Sequence, residues 1–265
     1  MRFDIAITEL FEEISRSRAV QRIKNGDFTV NGRVIKKPSR SIHQGDRIEE
    51  SRNSIPFVSR GGLKLEAALQ EFDVSIHDQV CMDVGASTGG FTQCLLNHGA
   101  KYVYAIDVGD CQLNDSLRCN ASVQVMENRD IRSIDPIELR TKPNVVVADV
   151  SFISIRKIWA DVLRLSEQDA VFLFLFKPQF ETEKKALSKG GIVRNPKVVL
   201  QSLCRLILEL EAKHYYLHGM VPSPIQGKKG NVEFLLHIEE DKNDSLAAEE
   251  IEKIVIDAYQ KGEKK

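Results

Sequence analysis

The sequence predicts an α/β protein: a doubly wound, mostly parallel seven-stranded sheet preceded by a small α+β module. Three observations point there. From about residue 59, short Val/Ile/Leu/Phe runs alternate with helical patterns, as strands buried on both faces require. The first of those runs leads into a glycine-rich turn and then a helix, the arrangement of an open α/β sheet with its ligand at the carboxyl ends of the strands. The front of the chain reads differently, as two short helices and a hairpin. With 265 residues, 42% hydrophobic and 28% charged, the chain is an ordinary globular one, long enough to bury a substantial core.

Residues 2–14 place apolar side chains at Phe3, Ile5, Ile7, Leu10, Phe11 and Ile14, a helical stripe. A second helix follows in SRSRAVQRIKNG, with Ser15 or Ser17 as cap and Gly26 as the stop. Next, DFTVNGRVIKKPS alternates apolar and polar residues around Asn31-Gly32, a pair suited to a type I′ turn because both central residues need positive φ. HQGDRIEE closes the module with another turn. The polar stretch 51–62, with Pro56 and a glycine pair, reads as a linker. The expected division is therefore 1–58, 59–240 and a helical tail, 241–265.

The net charge of −1 hides an asymmetry: residues 1–60 hold 12 Lys and Arg against 8 Asp and Glu, so they carry +4 and the remainder −5. A basic front suits a polyanionic partner. Its cations, Arg16, Arg18, Arg22, Lys24, Arg33, Lys36 and Lys37, gather on the second helix and the hairpin, while acids sit on the first helix. That separation predicts a phosphate-contacting, RNA-binding surface.

The expected strands of the second domain are 80–84, 102–107, 123–127, 144–150, 171–176, 215–220 and 232–238. A helix begins at RNPKVVLQSLCRLILEL, with Asn195 as cap and Pro196 at its first position. Only VPSPIQGKKGN separates the last two strands, so they should pair antiparallel. The tail DSLAAEEIEKIVIDAYQKG reads as a capped amphipathic helix ending at Gly262 and packing on the domain.

Composition also excludes. The five cysteines are odd in number and lack C-x-x-C spacing, which argues against a disulfide framework or a zinc site, so no metal is expected. The longest apolar run, Ala170–Phe176, is seven residues, far below the ~20 that span a bilayer. The N-terminus has early acids and no apolar core of a signal peptide. A cytoplasmic protein without membrane partners is the expectation.

CMDVGASTGGF carries the first chemical signal, in Asp83, Gly85, Ala86, Ser87, Thr88, Gly89, Gly90 and Phe91. The pattern is G-x-x-x-G-G, neither a dinucleotide fingerprint nor a P-loop, which disfavours phosphate-rich ligands. Asp107 ends the next strand, 22 residues beyond Gly85, where a carboxylate can take both hydroxyls of a ribose. S-adenosylmethionine fits: it has a ribose, no phosphates and a cationic end. Asp130, after the third strand, is placed to meet an adenine edge. The fourth strand ends Asp149-Val150-Ser151-Phe152, without the (D/N)-P-P-(Y/F) that cages an amine. None of the cysteines stands in the Pro-Cys context that pyrimidine carbon methylation uses.

The fifth strand ends LFLFKPQF. Lys177 thus leaves the most apolar segment at the edge of the glycine turn, as Asp149 does on the neighbouring strand. Apolar walls disfavour its charged form. Moving it from ~10.4 toward ~7–8 takes about 3 units, roughly 4 kcal/mol, and the neutral amine could then take a proton from a hydroxyl. A lysine snorkelling from a strand end is the alternative that spacing alone leaves open.

VSRGGLKLEAAL, DVGASTGGFT, DVSFIS, KPQFE and SPIQGKKGNVEF closely resemble the TlyA (haemolysin A) family, within the FtsJ-like ribose 2′-O-methyltransferases. SRSRAVQRIKNGDFTVNGRVIKKP resembles the small RNA-binding domain first seen in a ribosomal protein and shared by pseudouridine synthases. The resemblance spans about residues 1–238. It implies a Rossmann-like class I methyltransferase fold and methyl transfer from S-adenosylmethionine to a ribose 2′-hydroxyl of ribosomal RNA. It also implies a Lys-Asp-Lys-Glu tetrad on Lys64, Asp149, Lys177 and Glu233, with Lys177 as proton acceptor. Lys228 and Lys229, in the final hairpin loop, would add phosphate contacts. One departure is VGDCQLNDSLR after Asp107, where relatives carry an aromatic and a glycine before QL; it touches the cofactor-edge contacts. The rival readings are a cytolysin and a non-catalytic RNA-binding assembly factor.

Overall fold

The computed structural model describes residues 1–12, 14–51, 55–227 and 229–263. The chain divides into two compact units, Met1–Arg60 and Gly61–Lys265.

The first unit contains α1 (Phe3–Leu10), α2 (Arg16–Asn25), β1 (Phe28–Val30), β2 (Arg33–Val34) and β3 (Ile48–Glu50). The first helix is shorter than its apolar stripe. Phe11 leaves helical geometry at φ −127° and ψ 84°, and its ring lies 5.5 Å from that of Phe28. Both Phe11 and Ile14 thereby join the core of Phe3, Ile7, Ala19, Ile23 and Phe28. Ser15 caps α2 by accepting from the Arg18 amide, and Gly26 ends it at φ 91°. Asn31 and Gly32, at φ 52° and 76°, make the expected turn. The third strand was not legible in the sequence, because Ile-Glu-Glu has no alternation. It is recruited by pairing on β1, Phe28 opposite Glu50, and by Asn31, which bridges Asp46 at 2.8 Å and the Arg47 amide at 2.9 Å.

The second unit runs α3 (Gly61–Phe72), β4 (Val80–Val84), α4 (Gly90–Asn97), β5 (Tyr102–Ile106), α5 (Asp115–Arg118), β6 (Val123–Met126), β7 (Val145–Ala148), α6 (Trp159–Leu165), β8 (Val171–Phe176), α7 (Pro178–Glu181), α8 (Pro196–Glu211), β9 (Tyr216–Pro222), β10 (Phe234–Glu239) and α9 (Ala248–Glu263). The sheet has seven strands in the order β6-β5-β4-β7-β8-β10-β9. Its first five are parallel, and β10 inserts antiparallel between β8 and β9. The strand order switches direction between β4 and β7, the place where open α/β sheets take ligands at the carboxyl ends of their strands. Several strands stop one or two residues before the sequence pattern does. Asp107, Glu127 and Asp149 leave the ladder at that carboxyl edge and turn their carboxylates to other work.

The core lies on both faces of the sheet, with Trp159 edge-on to Phe172 at 4.9 Å and to Tyr215 at 5.2 Å. The Asn195 side chain caps α8, whose first residue is Pro196. The tail helix continues through Gly262, buries Ile251, Val255 and Ala258, and donates a hydrogen bond from Tyr259 to the Val193 carbonyl at 2.9 Å. Among the described residues, no helix is long and apolar enough to cross a membrane.

Candidate active site

At the end of β4 the chain turns under the end of β5. The amides of Gly85 and Ala86 donate to the Ile106 carbonyl at 2.8 and 3.0 Å. Gly85 has φ 85°, and a Cβ there would meet the Asp149 carbonyl oxygen at 2.9 Å, so only glycine lets the turn lie against β7. Gly89, at φ 92°, precedes α4, whose first residues are Gly90 and the buried Phe91. Ala86 is buried too, whereas Ser87 is exposed at φ 49°. The Thr88 carbonyl accepts from the Asn114 amide at 3.3 Å, fastening the turn to the start of α5. Asp83 lies beneath the turn, fully buried. Thr92 donates to its Oδ2 at 2.6 Å, while Oδ1 has no hydrogen-bond partner among the described residues. Burial pushes its carboxyl up to about 7.

Asp107 joins this turn to the next loop. Its Oδ2 accepts from the Ser87 amide at 2.8 Å and its Oδ1 from the Gly109 amide at 2.7 Å. The loop beyond, where the sequence departs from the family pattern, is built on Glu127. That carboxylate accepts from the amides of Cys111, Gln112 and Leu113, and from Arg118 at 2.6 Å. Gln112 folds over Gly109 and accepts from the Ser87 hydroxyl at 3.2 Å. Asp130 stands after β6, but Arg132 engages both its oxygens, at 2.9 and 2.6 Å. That pairing holds the Asp130 carboxyl below its ordinary value, and an adenine contact there would compete with it.

β7 and β8 are parallel neighbours, and Asp149 and Lys177 each lie one residue past their strand. The register puts Lys177 two residues beyond the level of Asp149, and its side chain reaches back to it. Lys177 Nζ lies 2.5 Å from Asp149 Oδ1 and donates to Ser151 Oγ at 2.8 Å. The last pair of β8 and β10 is Phe176 opposite Phe234, so one further step puts Glu233 level with Lys177. Glu233 Oε2 accepts from Lys64 Nζ of α3 at 2.6 Å, and Oε1 from Gln179 Nε2 at 3.2 Å. A Cβ at Gly227 would come within 2.5 Å of Glu233 Oε1, so the hairpin loop passes directly over that carboxylate. Lys64, Lys177 and Glu233 are buried and Asp149 is half-buried. The structure thus brings all four together as two ion pairs on one sheet edge, and Lys177 does not snorkel to solvent.

Sequence reasoning missed three neighbours. Ser151 and Gln179 stand inside the DVSFIS and KPQFE motifs, where the charged residues beside them carry the signal. Phe152, just past the expected strand 144–150, is 92% exposed and held at φ 65°, a backbone region that bulky residues avoid. Its ring stands 5.1 Å from Phe180, itself 5.9 Å from Lys177 Nζ.

Residues 57–240, more than half of the chain, match the FtsJ-like methyltransferase family. The chain belongs to that family. Residues 1–48 match the S4 domain. A Bacillus subtilis protein named for a provisional rRNA methyltransferase assignment, YqxC, is 40% identical over 263 residues, covering 97% of this chain and 94% of that one. The 16S/23S rRNA (cytidine-2′-O)-methyltransferase TlyA of Mycobacterium tuberculosis is 34% identical over 249 residues, covering 94% and 93%. A solved structure from Streptococcus thermophilus, provisionally named a hemolysin, superposes with a TM-score of 0.80 at 33% identity, covering 100% of this chain and 97% of that one.

In this FtsJ-like methyltransferase the S4 unit divides its cations. Arg18, Lys24, Arg33, Lys36 and Lys37 are exposed, and Lys36, Lys37 and Arg40 line a shallow groove with Val34 and Ile35. Arg22, expected on the same surface, turns inward instead. Its guanidinium meets Asp27 at 3.2 Å and Glu50 at 2.7 Å and lies 4.6 Å from the Phe28 ring centre. Arg16 reaches Asp4 at 3.1 Å, and together with Arg2 it holds that carboxyl down at about 2. Lys229 is exposed in the loop over Glu233; Lys228 lies outside the described residues.

Proposed function

We propose that this chain transfers a methyl group from S-adenosylmethionine to a ribose 2′-hydroxyl of ribosomal RNA, in the cytoplasm. The observation that carries the reading is Lys177, buried at the edge of the glycine turn with Asp149 at 2.5 Å and Ser151 at 2.8 Å. The residues fit the cofactor: the turn has no phosphate-binding lysine, and Asp107 and Asp149 stand beside it. When bound, S-adenosylmethionine supplies an electrophilic methyl on a cationic sulfur. Gly85, Ala86, Ser87, Thr88, Gly89, Gly90 and Phe91 would form its bed, with Asp107 at the ribose.

Lys177, once its Nζ has given a proton to solvent, accepts the proton that the 2′-hydroxyl loses as its oxygen takes the methyl, and the Asp149 carboxylate pairs with the ammonium so restored. Such proton acceptance contributes about 10²–10⁴-fold. Ser151 fixes the direction of Nζ. Glu233 holds Lys64 on the other side of the edge, so neither lysine is left as an uncompensated buried charge. Phe152 offers an exposed ring, one ring removed from Lys177 through Phe180, for stacking the target base. The S4 unit adds phosphate contacts from Arg18, Lys24, Arg33, Lys36 and Lys37, which raise the concentration of RNA near the site. The name and extent of the M. tuberculosis relative support ribosomal RNA as the substrate.

The test is transfer of labelled methyl from S-adenosylmethionine to ribosomal subunits or RNA from cells lacking this protein, with the modified ribose mapped. Wild type should label a discrete ribose, and Lys177→Ala should lose about 10²–10⁴-fold in rate. Unchanged transfer by Lys177→Ala would remove that residue from the mechanism. No transfer by wild type to any RNA would leave the assembly-factor reading instead.

A further inference from the structure

Outside the candidate active site, α3 and α4 carry a second group of chemically able side chains. Cys94 and His98 lie four residues apart at the end of α4 and so share a face. Glu66 approaches them from α3. His98 Nε2 and Glu66 Oε2 are 2.8 Å apart, and Cys94 Sγ is 3.6 Å from the same oxygen. All three ligand atoms lie within 4.8 Å of one another. Gln70 donates to the other oxygen, Glu66 Oε1, at 2.8 Å and fixes the plane of the carboxylate. The Glu66 and His98 side chains keep 29% and 34% exposure, so an outward position stays open to water, while Cys94 is fully buried.

We propose that Glu66, Cys94 and His98 bind a zinc-type divalent cation, with water as the fourth ligand. A thiolate, an imidazole and a carboxylate form the mixed set that Zn²⁺ takes, and three protein ligands with one open position is a usual count. Zinc–ligand bonds of ~2.0–2.3 Å place tetrahedral ligand atoms about 3.3–3.8 Å apart, so the Cys94–Glu66 separation already fits and the His98–Glu66 pair must open by about 0.5 Å. On binding, the Cys94 thiol gives its proton to solvent and its sulfur bonds the metal. Sequence spacing conceals the site because the ligands come from two helices and include one cysteine only. The ion would clip α3, which carries Lys64, to α4, which opens at the glycine turn. The other such group among the described residues, Asp110, Cys111 and Glu127, differs: the Glu127 oxygens are already taken by three amides and Arg118.

The experiment uses the full chain, stripped with chelator and titrated with Co²⁺. Stoichiometric binding should appear with tetrahedral d–d absorption and a thiolate-to-cobalt charge-transfer band, both displaced by Zn²⁺. Cys94→Ala should abolish the charge-transfer band, and His98→Gln, at a partly exposed position, should weaken binding by at least about ten-fold. Zn²⁺ should raise the thermal midpoint of wild type and not of His98→Gln. Absence of the charge-transfer band in wild type would overturn the proposal. So would a band that survives Cys94→Ala, since exposed Cys111, Cys119 or Cys204 would then be its source.

Discussion

Lys64 donates to Glu233 at 2.6 Å across 169 residues of sequence, and both side chains are almost wholly withdrawn from water. Such a pair is costly to break from one side, because the remaining charge stays buried alone. Glu233→Gln should destabilise the second unit by about 3–5 kcal/mol, read as a lower urea midpoint. The double variant Lys64→Met with Glu233→Gln removes both charges and should recover most of that stability. It should not recover methyl transfer. Full activity in the double variant would reduce the pair to a structural role.

Ser151 separates orientation of Lys177 from its chemistry. Ser151→Ala deletes one hydrogen bond to Nζ and leaves the Asp149 pair in place. The expected result is a loss of about ten-fold in kcat with KM for RNA unchanged, ten-fold being ~1.4 kcal/mol, the scale of one hydrogen bond. A loss as large as that of Lys177→Ala would mean that the serine itself handles the proton.

Phe152 combines near-complete exposure with positive φ, so its side chain adds strain without burial. Phe152→Gly should relieve the strain and stabilise the fold by about 1 kcal/mol, while raising KM for RNA through loss of a stacking face worth ~1–3 kcal/mol. Stability and KM measured on the same preparation check both. An unchanged KM would take the ring out of substrate binding.

Asp83 makes stability depend on pH. Its folded carboxyl titrates at about 7 against 3.8 for the free side chain, chiefly through burial. Below the lower value both states hold the proton and no penalty arises. Between the two values the unfolded chain releases it and the folded chain keeps it, so stability falls as pH rises, by on the order of 4 kcal/mol across the window. Asp83→Asn lacks this term. Its stability relative to wild type should therefore increase from pH 4 to pH 8, and a constant difference over that range would contradict the assignment.

The S4 unit predicts two classes of arginine and lysine variant. Lys36→Ala and Lys37→Ala should each weaken RNA binding and flatten its salt dependence by ~0.7–0.9 in log–log slope, leaving the fold intact. Arg22→Ala should instead destabilise the unit, because Asp27 and Glu50 lose a shared partner and Phe28 loses its cover. Thermal melts beside salt-dependent binding curves distinguish the two.

By itself the sequence determined the alternation of strands and helices, the glycine turn, the Asn31-Gly32 hairpin and the caps at Gly26 and Asn195, and narrowed the cap of α2 to Ser15 or Ser17. These are set by local propensity and by burial on both faces of the sheet, and both are written at short range. The motifs also named Lys64, Asp149, Lys177 and Glu233. Tertiary structure alone decided how these four pair. The order β7-β8-β10 sets which strand ends are neighbours, bringing Lys177 within reach of Asp149 and level with Glu233, and the packing of α3 against β10 lays Lys64 on Glu233. The same level turned Arg22 inward, recruited β3 without a strand pattern, held Phe152 out in solvent and gathered Glu66, Cys94 and His98 from two helices. Spacing along a chain carries no information about pairing between elements, because that depends on which surfaces the whole fold buries against each other.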